Sequence, residues 1–465
     1  MTTLRVRGLL FSLGLAIAGC SGHIGASGGG ADGDGPDASL DDAGAARDGA
    51  SGPGDAGDAF DAGAVPPADD LGAPPPVDMS APPPPPPPPP DVDMGAPPPV
   101  DMGAPPPDVD MGTPPPPPPP PPTFPTYETV FSRRPATNGR DTTVEDRLVQ
   151  LIDAAVPDSR IRVALFTFTR TGPADALGRA AARGVDVKIV LDGGADGAGS
   201  EVGTLRTGLG TGNVRLCDSP GTACVGSGIM HHKTFLFSAL ADGSTNVVAQ
   251  ASHNLTANQL QMHNNAIIVR GDATLFAAYE RTWNDLFADV EIPDYYRLTD
   301  GDLATRVYFF PRPGGGDTTV SILDNVACDG TARIRVAMAF FTDARLEVAQ
   351  ALARRAREGC DVQVIAGNAE IPLGGSVETT LTGAGVRLFR YPDRSGWGLH
   401  SKYMLIDANY AGSAAHRRLV FTGSHNWTGP ALSINDETML RVEDNGVFDA
   451  YLADWNHVRV ESARP

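Results

Sequence analysis

An internal repeat constrains the fold of this chain more than any other feature. Residues 141–144 (DTTV) recur as residues 317–320, and residues 160–164 (RIRVA) recur as residues 333–337. The offsets between the copies are 176 and 173 residues, so the register is kept with small insertions. Because repeated sequence builds repeated supersecondary structure, we expect two similar halves.

Both copies have the same order of predicted elements. A helix, an apolar strand, a second helix and a second strand are predicted at residues 144–155, 161–169, 175–183 and 185–191, and again at 320–327, 334–342, 346–358 and 362–366. Strands rich in Val, Ile, Ala and Phe that alternate with helices are typical of a buried mixed or parallel sheet. The sequence therefore predicts an α/β fold with two pseudo-symmetric halves, residues 127–300 and 301–465, each a mixed β-sheet flanked by helices.

The chain has three lysines, and two of them follow a histidine by two positions. The pairs are His231 with Lys233 and His400 with Lys402, at corresponding places in the two copies. Residues two apart in a strand point to the same side, so each pair is expected to present both side chains on one face. One such pair would carry little information, but two in register with a repeat indicate one site at the interface of the halves.

A matched Ser-His-Asn segment follows each pair, at residues 252–254 and 424–426. With these residues the second half resembles the phospholipase D superfamily, whose signature is His-x-Lys-x4-Asp followed by Gly-Ser-x-Asn. The matching residues are His400, Lys402, Asp407, Gly423, Ser424 and Asn426. Glu437 stands eleven residues after Asn426, where family members carry an acidic residue that orients the histidine, so the resemblance pairs it with His400. The resemblance covers about residues 127–465.

The first half departs from this pattern at three positions. It retains His231, Lys233, Ser252 and Asn254. Ser238 replaces the motif Asp, Ala251 replaces the Gly, and Asn265 stands where a counterpart of Glu437 is expected. An amide can hold an imidazole in place but stabilises an imidazolium poorly, so a weakened or altered site is one alternative.

The resemblance implies a two-step phosphodiesterase mechanism. One neutral histidine attacks phosphorus, and the other protonates the leaving alcohol and then deprotonates the incoming water or alcohol. By resemblance His231 is the nucleophile and His400 the acid, although Glu437 would both favour a charged His400 and make it a better base, so the sequence leaves the assignment open. The phosphate oxygens need donors, for which the candidates are Lys233, Lys402, Asn254 and Asn426, with Ser252 and Ser424 as further donors. Asp407 and Asn265 are expected in supporting roles, and the scheme requires no metal or other cofactor.

The first twenty residues predict an export signal. Arg5 and Arg7 precede an apolar run at residues 8–18 that is too short to span a bilayer. The run ends in residues 17–20 (IAGC), which resemble the cleavage box of bacterial lipoproteins and imply an acylated Cys20. An ordinary signal peptide with an unmodified cysteine is the alternative.

By the same resemblance Ser21 favours an outer-membrane lipoprotein that faces the periplasm or the cell surface. Residues 21–126 are rich in Asp, Gly and Ala and then in Pro, which predicts a disordered linker with polyproline II stretches.

The other four cysteines, Cys217, Cys224, Cys328 and Cys360, allow three pairings in an oxidising compartment. Cys328 and Cys360 lie just before two strands that are expected to be neighbours, and Cys217 with Cys224 would close a short loop. We favour these two pairs, with free buried thiols as the alternative.

Charge gives a weak preference among substrates. The chain carries −20 overall, of which residues 1–126 carry −14, so residues 127–465 hold 39 acidic against 33 basic residues. Nucleic-acid-binding proteins usually show a basic surface, so this balance favours a phospholipid or another phosphodiester substrate, although 30 arginines leave room for a basic channel. We expect a phospholipase D-type enzyme with a monomeric catalytic unit. A metal-independent nuclease of the same superfamily is the alternative, and a catalytically weakened binding module is a third reading.

Overall fold

The computed structural model describes residues 125–133, 139–218, 221–299, 304–367, 371–391 and 398–462. The predicted signal peptide, Cys20 and all but the last two residues of the predicted linker lie outside this part of the chain. Among the described residues, no helix combines the length and apolar character needed to cross a membrane.

The first half forms a mixed sheet with helices on both faces. Its elements are β1 (Thr126–Ser132), α1 (Thr143–Asp153), β2 (Arg160–Leu165), α2 (Thr171–Ala182), β3 (Asp186–Leu191), α3 (Val202–Leu209), β4 (Val214–Leu216), β5 (Lys233–Ala239), β6 (Thr245–Ala251), β7 (Asn264–Arg270) and α4 (Ala273–Ala288). The strand order is β1-β7-β6-β5-β2-β3-β4. Strands β2, β3 and β4 run parallel, and the other pairs are antiparallel.

The second half repeats this plan. Its elements are β8 (Arg297–Leu298), β9 (Thr305–Phe310), α5 (Thr318–Asp324), β10 (Val326–Ala327), β11 (Arg333–Met338), α6 (Leu346–Arg357), β12 (Asp361–Ala366), α7 (Gly375–Gly383), β13 (Arg387–Arg390), β14 (Lys402–Tyr410), β15 (His416–Gly423), α8 (Gly429–Ser433), β16 (Glu437–Glu443) and α9 (Asn445–Ser462). The order β13-β12-β11-β14-β15-β16-β9-β8 matches the first sheet, with β8 added at one edge and β10 paired to β14. The predicted α/β fold of two pseudo-symmetric halves is confirmed.

The repeated sequences make the same contacts in both halves. In the DTTV segments, Asp141 accepts from the backbone N–H of Thr143 at 2.9 Å and Asp317 from that of Thr319 at 2.7 Å, so each Asp binds an N–H in the first turn of the following helix. In the RIRVA segments, Arg162 and Arg335 each reach the first residue of the neighbouring parallel strand. Their guanidinium groups donate at 2.7 Å to the backbone carbonyls of Asp186 and Asp361.

Some predicted bounds differ from the observed ones. The apolar run of the first half continues to Thr169, but β2 ends at Leu165. One more bond in the same register follows the strand, from the N–H of Phe166 to the carbonyl of His232 at 3.1 Å. The helix predicted over residues 320–327 ends at Asp324, and Val326–Ala327 pair with β14 instead.

Three large hydrophobic cores lie between the layers of the described residues. One core lies between the first sheet and helices α1 to α3, and a second lies between the second sheet and helices α5 to α7. The third is shared by both halves and contains the inner faces of both sheets together with α4 and α9. Helix α4 packs on β9 and α9 packs on β1, so a helix of each half covers a strand of the other.

Two disulfides join the cysteine pairs favoured from the sequence. Cys217 is bonded to Cys224, and Cys328 is bonded to Cys360. The first closes the loop between β4 and the segment that precedes β5. The second ties the residue after β10 to the start of β12.

Candidate active site

The two histidine–lysine pairs lie at the same place in the two sheets. Lys233 is the first residue of β5 and Lys402 the first of β14, and each is opposite the last residue of the neighbouring strand, Leu165 or Met338. His231 and His400 therefore stand just before the strands, whereas the sequence predicted them inside. All four side chains are buried, with at most 2% of any of these residues exposed.

Each histidine is held by the opposite half of the chain. The backbone N–H of His231 donates to the carbonyl of Asp436 at 2.9 Å, and its Nδ1 lies 2.8 Å from Oε2 of Glu437. The backbone N–H of His400 donates to the carbonyl of His263 at 3.0 Å, and its Nδ1 lies 2.9 Å from Oδ1 of Asn264. The site is therefore built at the interface of the two halves, as the fold prediction required.

These contacts correct two expectations. Glu437 was expected to orient His400 but contacts His231 of the other half. Asn265 was expected as the counterpart of Glu437, but Asn264 fills that place. The amide of Asn265 instead donates to the hydroxyls of Thr422 at 2.7 Å and Tyr451 at 3.0 Å, and so joins the halves beneath the site.

The shift has a simple cause in loop length. Asn264 follows Asn254 by ten residues, whereas Glu437 follows Asn426 by eleven. The connection to β7 is thus one residue shorter than the connection to β16. A fixed spacing carried from one copy to the other misses the residue by one position.

The motif serines support the orienting residues. Ser424 donates to Oε2 of Glu437 at 2.5 Å and accepts from the N–H of Thr438 at 3.0 Å. Ser252 donates to Oδ1 of Asn264 at 3.0 Å and accepts from the N–H of Asn265 at 3.0 Å. Because each hydroxyl has one proton and has used it, these serines hold Glu437 and Asn264 in place rather than supplying the phosphate donors that were expected.

Amide and ammonium groups surround the histidines. Lys233 donates to the carbonyl of His231 at 3.1 Å. Lys402 donates to the carbonyl of His400 at 2.8 Å and lies 3.2 Å from its Nε2. The carboxamides of Asn254 and Asn426 are buried, and among the described residues neither atom of the Asn254 amide nor Oδ1 of Asn426 has a hydrogen-bond partner. Buried polar groups are usually paired, so these amides are poised for a ligand.

Aromatic rings line both lysines. Lys233 lies 5.4 Å from the ring centre of Phe166, which also contacts His231 edge to face at 5.2 Å. Lys402 lies 5.9 Å from the ring centre of Phe340. The rings restrict access of water to the ammonium groups and so strengthen their attraction for an anion.

Asp407 and Ser238 lie at the opposite end of their strands. Asp407 contacts Nδ1 of His416 at 2.9 Å and Arg333 at 3.3 Å. Ser238 accepts from the backbone N–H of Arg160, the residue that corresponds to Arg333, at 2.9 Å. Both side chains support the far end of the sheet, so the exchange of Asp for Ser in the first half leaves the histidine–lysine pair undisturbed.

Three further buried histidines are neutral at physiological pH. Burial lowers the pKa of His232 to about 3 and that of His253 to about 4, and it holds the pKa of His425 well below its usual range. His425 lies against the ring of Phe310, with 4.2 Å between ring centres. These imidazoles pack as small aromatic groups beside the site.

Two carboxylates near His231 were not singled out from the sequence. Asp192 accepts from the N–H of Met230 at 2.8 Å. Asp436 accepts from the three successive N–H groups of residues 224–226. The position of Asp436, directly before Glu437, was the available signal. Asp192 gave none, because its contact with the segment before His231 arises only in the folded chain.

The chain matches the family model described as the PLD-like domain of cardiolipin synthase over residues 148–287 and 329–459. No curated protein sequence matches it significantly. Similar solved structures include polyphosphate kinase from Porphyromonas gingivalis, 15% identical over 71% of this chain and 50% of that one, with a TM-score of 0.48. This chain therefore spans about half the length of that kinase.

Phosphatidylserine synthase from Haemophilus influenzae Rd KW20 is 12% identical over 68% of this chain and 83% of that one, with a TM-score of 0.47. The phospholipase D family member Nuc from Salmonella typhimurium is 20% identical over 36% and 96%, with a TM-score of 0.28. The two segments matched by the family model lie one in each half and together cover more than half of the chain. The chain therefore belongs to the phospholipase D superfamily.

Proposed function

We propose that this chain is a phosphodiesterase of phospholipase D type that hydrolyses or transfers phosphatidyl groups through a phosphohistidine at His231. The observation that carries the proposal is the contact between Nδ1 of His231 and the carboxylate of Glu437 at 2.8 Å, inside a site that also holds two buried lysines. A carboxylate can only accept, so this contact puts the imidazole proton on Nδ1 and leaves the Nε2 lone pair for attack on phosphorus.

In the first step, Nε2 of His231 forms a bond to phosphorus as the bond from phosphorus to the leaving oxygen breaks. The imidazole then carries a positive charge, which the Glu437 carboxylate stabilises. The partner of His400 is the neutral amide of Asn264, which orients the ring without that stabilisation. This difference in charge favours His231 over His400 as the nucleophile.

His400 then acts as the proton carrier. Asn264 Oδ1 accepts from Ser252, and its Nδ2 donates to the carbonyl of Gln259 at 3.1 Å, so the oxygen faces His400 and the ring proton lies on Nδ1. A second proton on Nε2 passes to the leaving oxygen, and the neutral ring then takes a proton from the incoming water or alcohol. That oxygen bonds to phosphorus while the bond from phosphorus to His231 breaks.

Lys233, Lys402, Asn254 and Asn426 would bind the non-bridging phosphate oxygens. Ammonium groups in a site closed to water offset the charge of a phosphodiester more strongly than exposed ones. The Nδ2 of Asn254, which has no partner among the described residues, would supply a neutral donor beside them. The matched family model, described for cardiolipin synthase, and the acidic balance of residues 127–465 support a phosphatidyl substrate over a nucleic acid.

We also propose that the protein is exported and anchored to the outer membrane through acylated Cys20, with residues 21–126 as a spacer. The motif at residues 17–20 supports the anchor. The two disulfides support an oxidising compartment, because such bonds persist there and are rare in the cytosol.

The test offers the full-length protein phosphatidylglycerol vesicles with ethanol, and plasmid DNA in a parallel reaction. We expect phosphatidic acid and phosphatidylethanol, both lost in His231→Ala and in His400→Ala. Cleaved DNA with unchanged lipid would replace the phosphatidyl substrate by a nucleic acid. No product in either reaction would contradict the proposed activity and support a weakened binding module.

A further inference from the structure

The loop that delivers His231 is held by one side chain of the other half. We call residues 221–231 the histidine loop. It starts beside the disulfide between Cys217 and Cys224 and ends at His231. Its backbone and the strand entry at residues 434–436 lie against each other across the interface.

Asp436 accepts hydrogen bonds from three successive N–H groups of this loop. Its Oδ2 accepts from Cys224 at 2.6 Å and Val225 at 3.3 Å, and its Oδ1 accepts from Gly226 at 2.7 Å. The side chain is completely buried, as is the loop backbone it binds. Successive N–H groups that converge on one point form a strong anion site, and here the anion is a carboxylate of the same chain.

The backbone of Asp436 holds the other end of the same loop. Its N–H donates to the carbonyl of Ile229 at 2.9 Å, and its carbonyl accepts from the N–H of His231 at 2.9 Å. One residue thus fixes both ends of a stretch from Cys224 to His231. The next residue, Glu437, binds the His231 ring.

Two glycines allow this close approach. A Cβ on Gly226 would overlap the carbonyl oxygen of Ile434, and a Cβ on Gly228 would overlap the side-chain oxygen of Asn435. Neither glycine has a positive φ, so the requirement is for space rather than for backbone conformation. The sequence of the loop is therefore adapted to the strand entry that carries Asp436.

On the His400 side of the site, in the part of the chain that the structure describes, the residue at the corresponding place is a histidine. His263 takes the place of Asp436, and its backbone holds the segment before His400 in the same way. Its side chain turns elsewhere, with Nε2 2.9 Å from both Tyr391 and Glu461. On the His231 side of the site, one carboxylate (Asp436) therefore anchors the loop and a second (Glu437) binds the imidazole.

We propose that Asp436 is a positioning residue for the nucleophilic step, which holds the histidine loop so that His231 keeps its alignment with Glu437 and phosphorus. The inference rests on the proposed function. Asp436 acts through the loop backbone and need not touch the substrate. Displacement of a reacting atom by about 1 Å can reduce a rate on the order of 100-fold, so the effect falls on the chemical step rather than on binding.

The test is Asp436→Asn in the full-length protein. The amide keeps the size of the side chain but turns one acceptor into a donor that faces the N–H groups of the loop. With bis(p-nitrophenyl) phosphate as the probe, the phosphorylated His231 peptide is followed after rapid quenching. We expect its rate of formation to fall about 10- to 100-fold with KM changed less than about threefold.

A second measurement needs no catalysis. Hydrogen exchange at the amides of residues 224–226 should be at least about tenfold faster in Asp436→Asn, because their acceptor is lost. The matched control is Asp272→Ala, which removes the N-terminal cap of α4, a bond of 2.9 Å to the N–H of Leu275, away from the loop. This control variant should be less stable than the wild type, but its rate of phosphohistidine formation and its hydrogen exchange at residues 224–226 should stay unchanged.

Unchanged exchange at residues 224–226, or a rate loss no larger than that of Asp272→Ala, would overturn the positioning role. If the wild-type protein forms no phosphohistidine, the proposed function fails instead. Hydrogen exchange then decides alone whether Asp436 anchors the loop.

Discussion

Glu437 and Asn264 occupy equivalent places yet differ in charge, and this single difference separates the two histidines chemically. The carboxylate can stabilise a positive imidazole, whereas the amide can only orient one. The hydroxyls of Ser424 and Ser252 hold them in the same manner. This pair of side chains therefore makes the two repeated halves of the site chemically different.

Replacement of Glu437 by Gln tests this separation. The change keeps the shape of the side chain but removes the charge that fixes the His231 proton and stabilises the intermediate. We expect the rate of phosphohistidine formation to fall by about 100- to 10,000-fold, because a catalytic histidine that loses its orienting carboxylate can adopt the wrong tautomer. Rapid-quench mass spectrometry of the His231 peptide measures it.

The control for this variant is Glu280→Gln, which removes a carboxylate from the half-exposed ion pair with Arg160. Its rate should stay within about twofold of the wild type, because the pair lies outside the site. A Glu437→Gln rate close to that of the control would reject Glu437 as the partner of the nucleophile.

A second prediction at this scale concerns His425. Burial holds its pKa well below 6.5, so the folded state keeps it neutral while the unfolded chain takes up a proton. The stability due to the neutral ring is thus present above pH 6.5 and is lost as the pH falls. In His425→Phe that loss is absent. The unfolding free energy of the variant, relative to that of the wild type, should therefore rise by about 1.4 kcal/mol for each pH unit below 6.5.

Urea unfolding at pH 7.5, 6 and 5 measures the difference between the two proteins. His232 and His253 titrate in the same direction, while burial raises the pKa of Asp436 to about 7 and of Asp192 to about 6, which acts the opposite way. These groups are common to both proteins and cancel. A difference that is constant across the three pH values would mean that His425 is not a buried neutral ring.

Among the elements, the histidine loop is the one most constrained by its neighbour. Gly226→Ala should push the loop away from Ile434, lower the unfolding free energy by about 1 to 3 kcal/mol and reduce activity. The comparison is Gly203→Ala in α3, where a Cβ meets nothing within 4 Å. That change should stabilise the protein by about 0.4 to 1 kcal/mol.

Thermal melts and activity of both variants check this pair of expectations. Equal stability of the two variants would show that the loop can move away from Ile434 with no loss of unfolding free energy. The close packing at Gly226 would then not require a glycine.

The elements also mark how far the sequence could predict the structure. Helices, strands and the two histidine–lysine pairs followed from periodicity and repetition, which are local properties of the chain. The partner of each histidine did not, because Glu437 and Asn264 reach across an interface that no spacing within one copy encodes. Asn264 was missed by one position for the same reason, since the shorter connection before β7 is absorbed by contacts with the other half.

At the scale of the whole molecule, the two halves depend on each other. Helix α4 covers β9, α9 covers β1, and one core contains both inner sheet faces. Residues 125–299 and 304–462 expressed separately should therefore lack phosphodiesterase activity, and each should expose apolar surface. When the two fragments are mixed in the unfolded state and refolded together, activity should return.

Activity of each fragment alone, and binding of a dye specific for exposed apolar surface, measure this dependence. The intact chain should unfold in one transition that is the same by circular dichroism and by tryptophan fluorescence. Activity in an isolated fragment, or two separate transitions in the intact chain, would contradict the shared core.

The crossed contacts between histidines and their partners also bear on ancestry. If a single copy had once worked by pairing with an identical copy, every subunit would have had to supply both members of each contact, so a mutation would have altered two places at once. Duplication and fusion into one gene remove that coupling. Afterwards Glu437 could remain while its twin became Asn264, and a site with two specialised halves could evolve one substitution at a time.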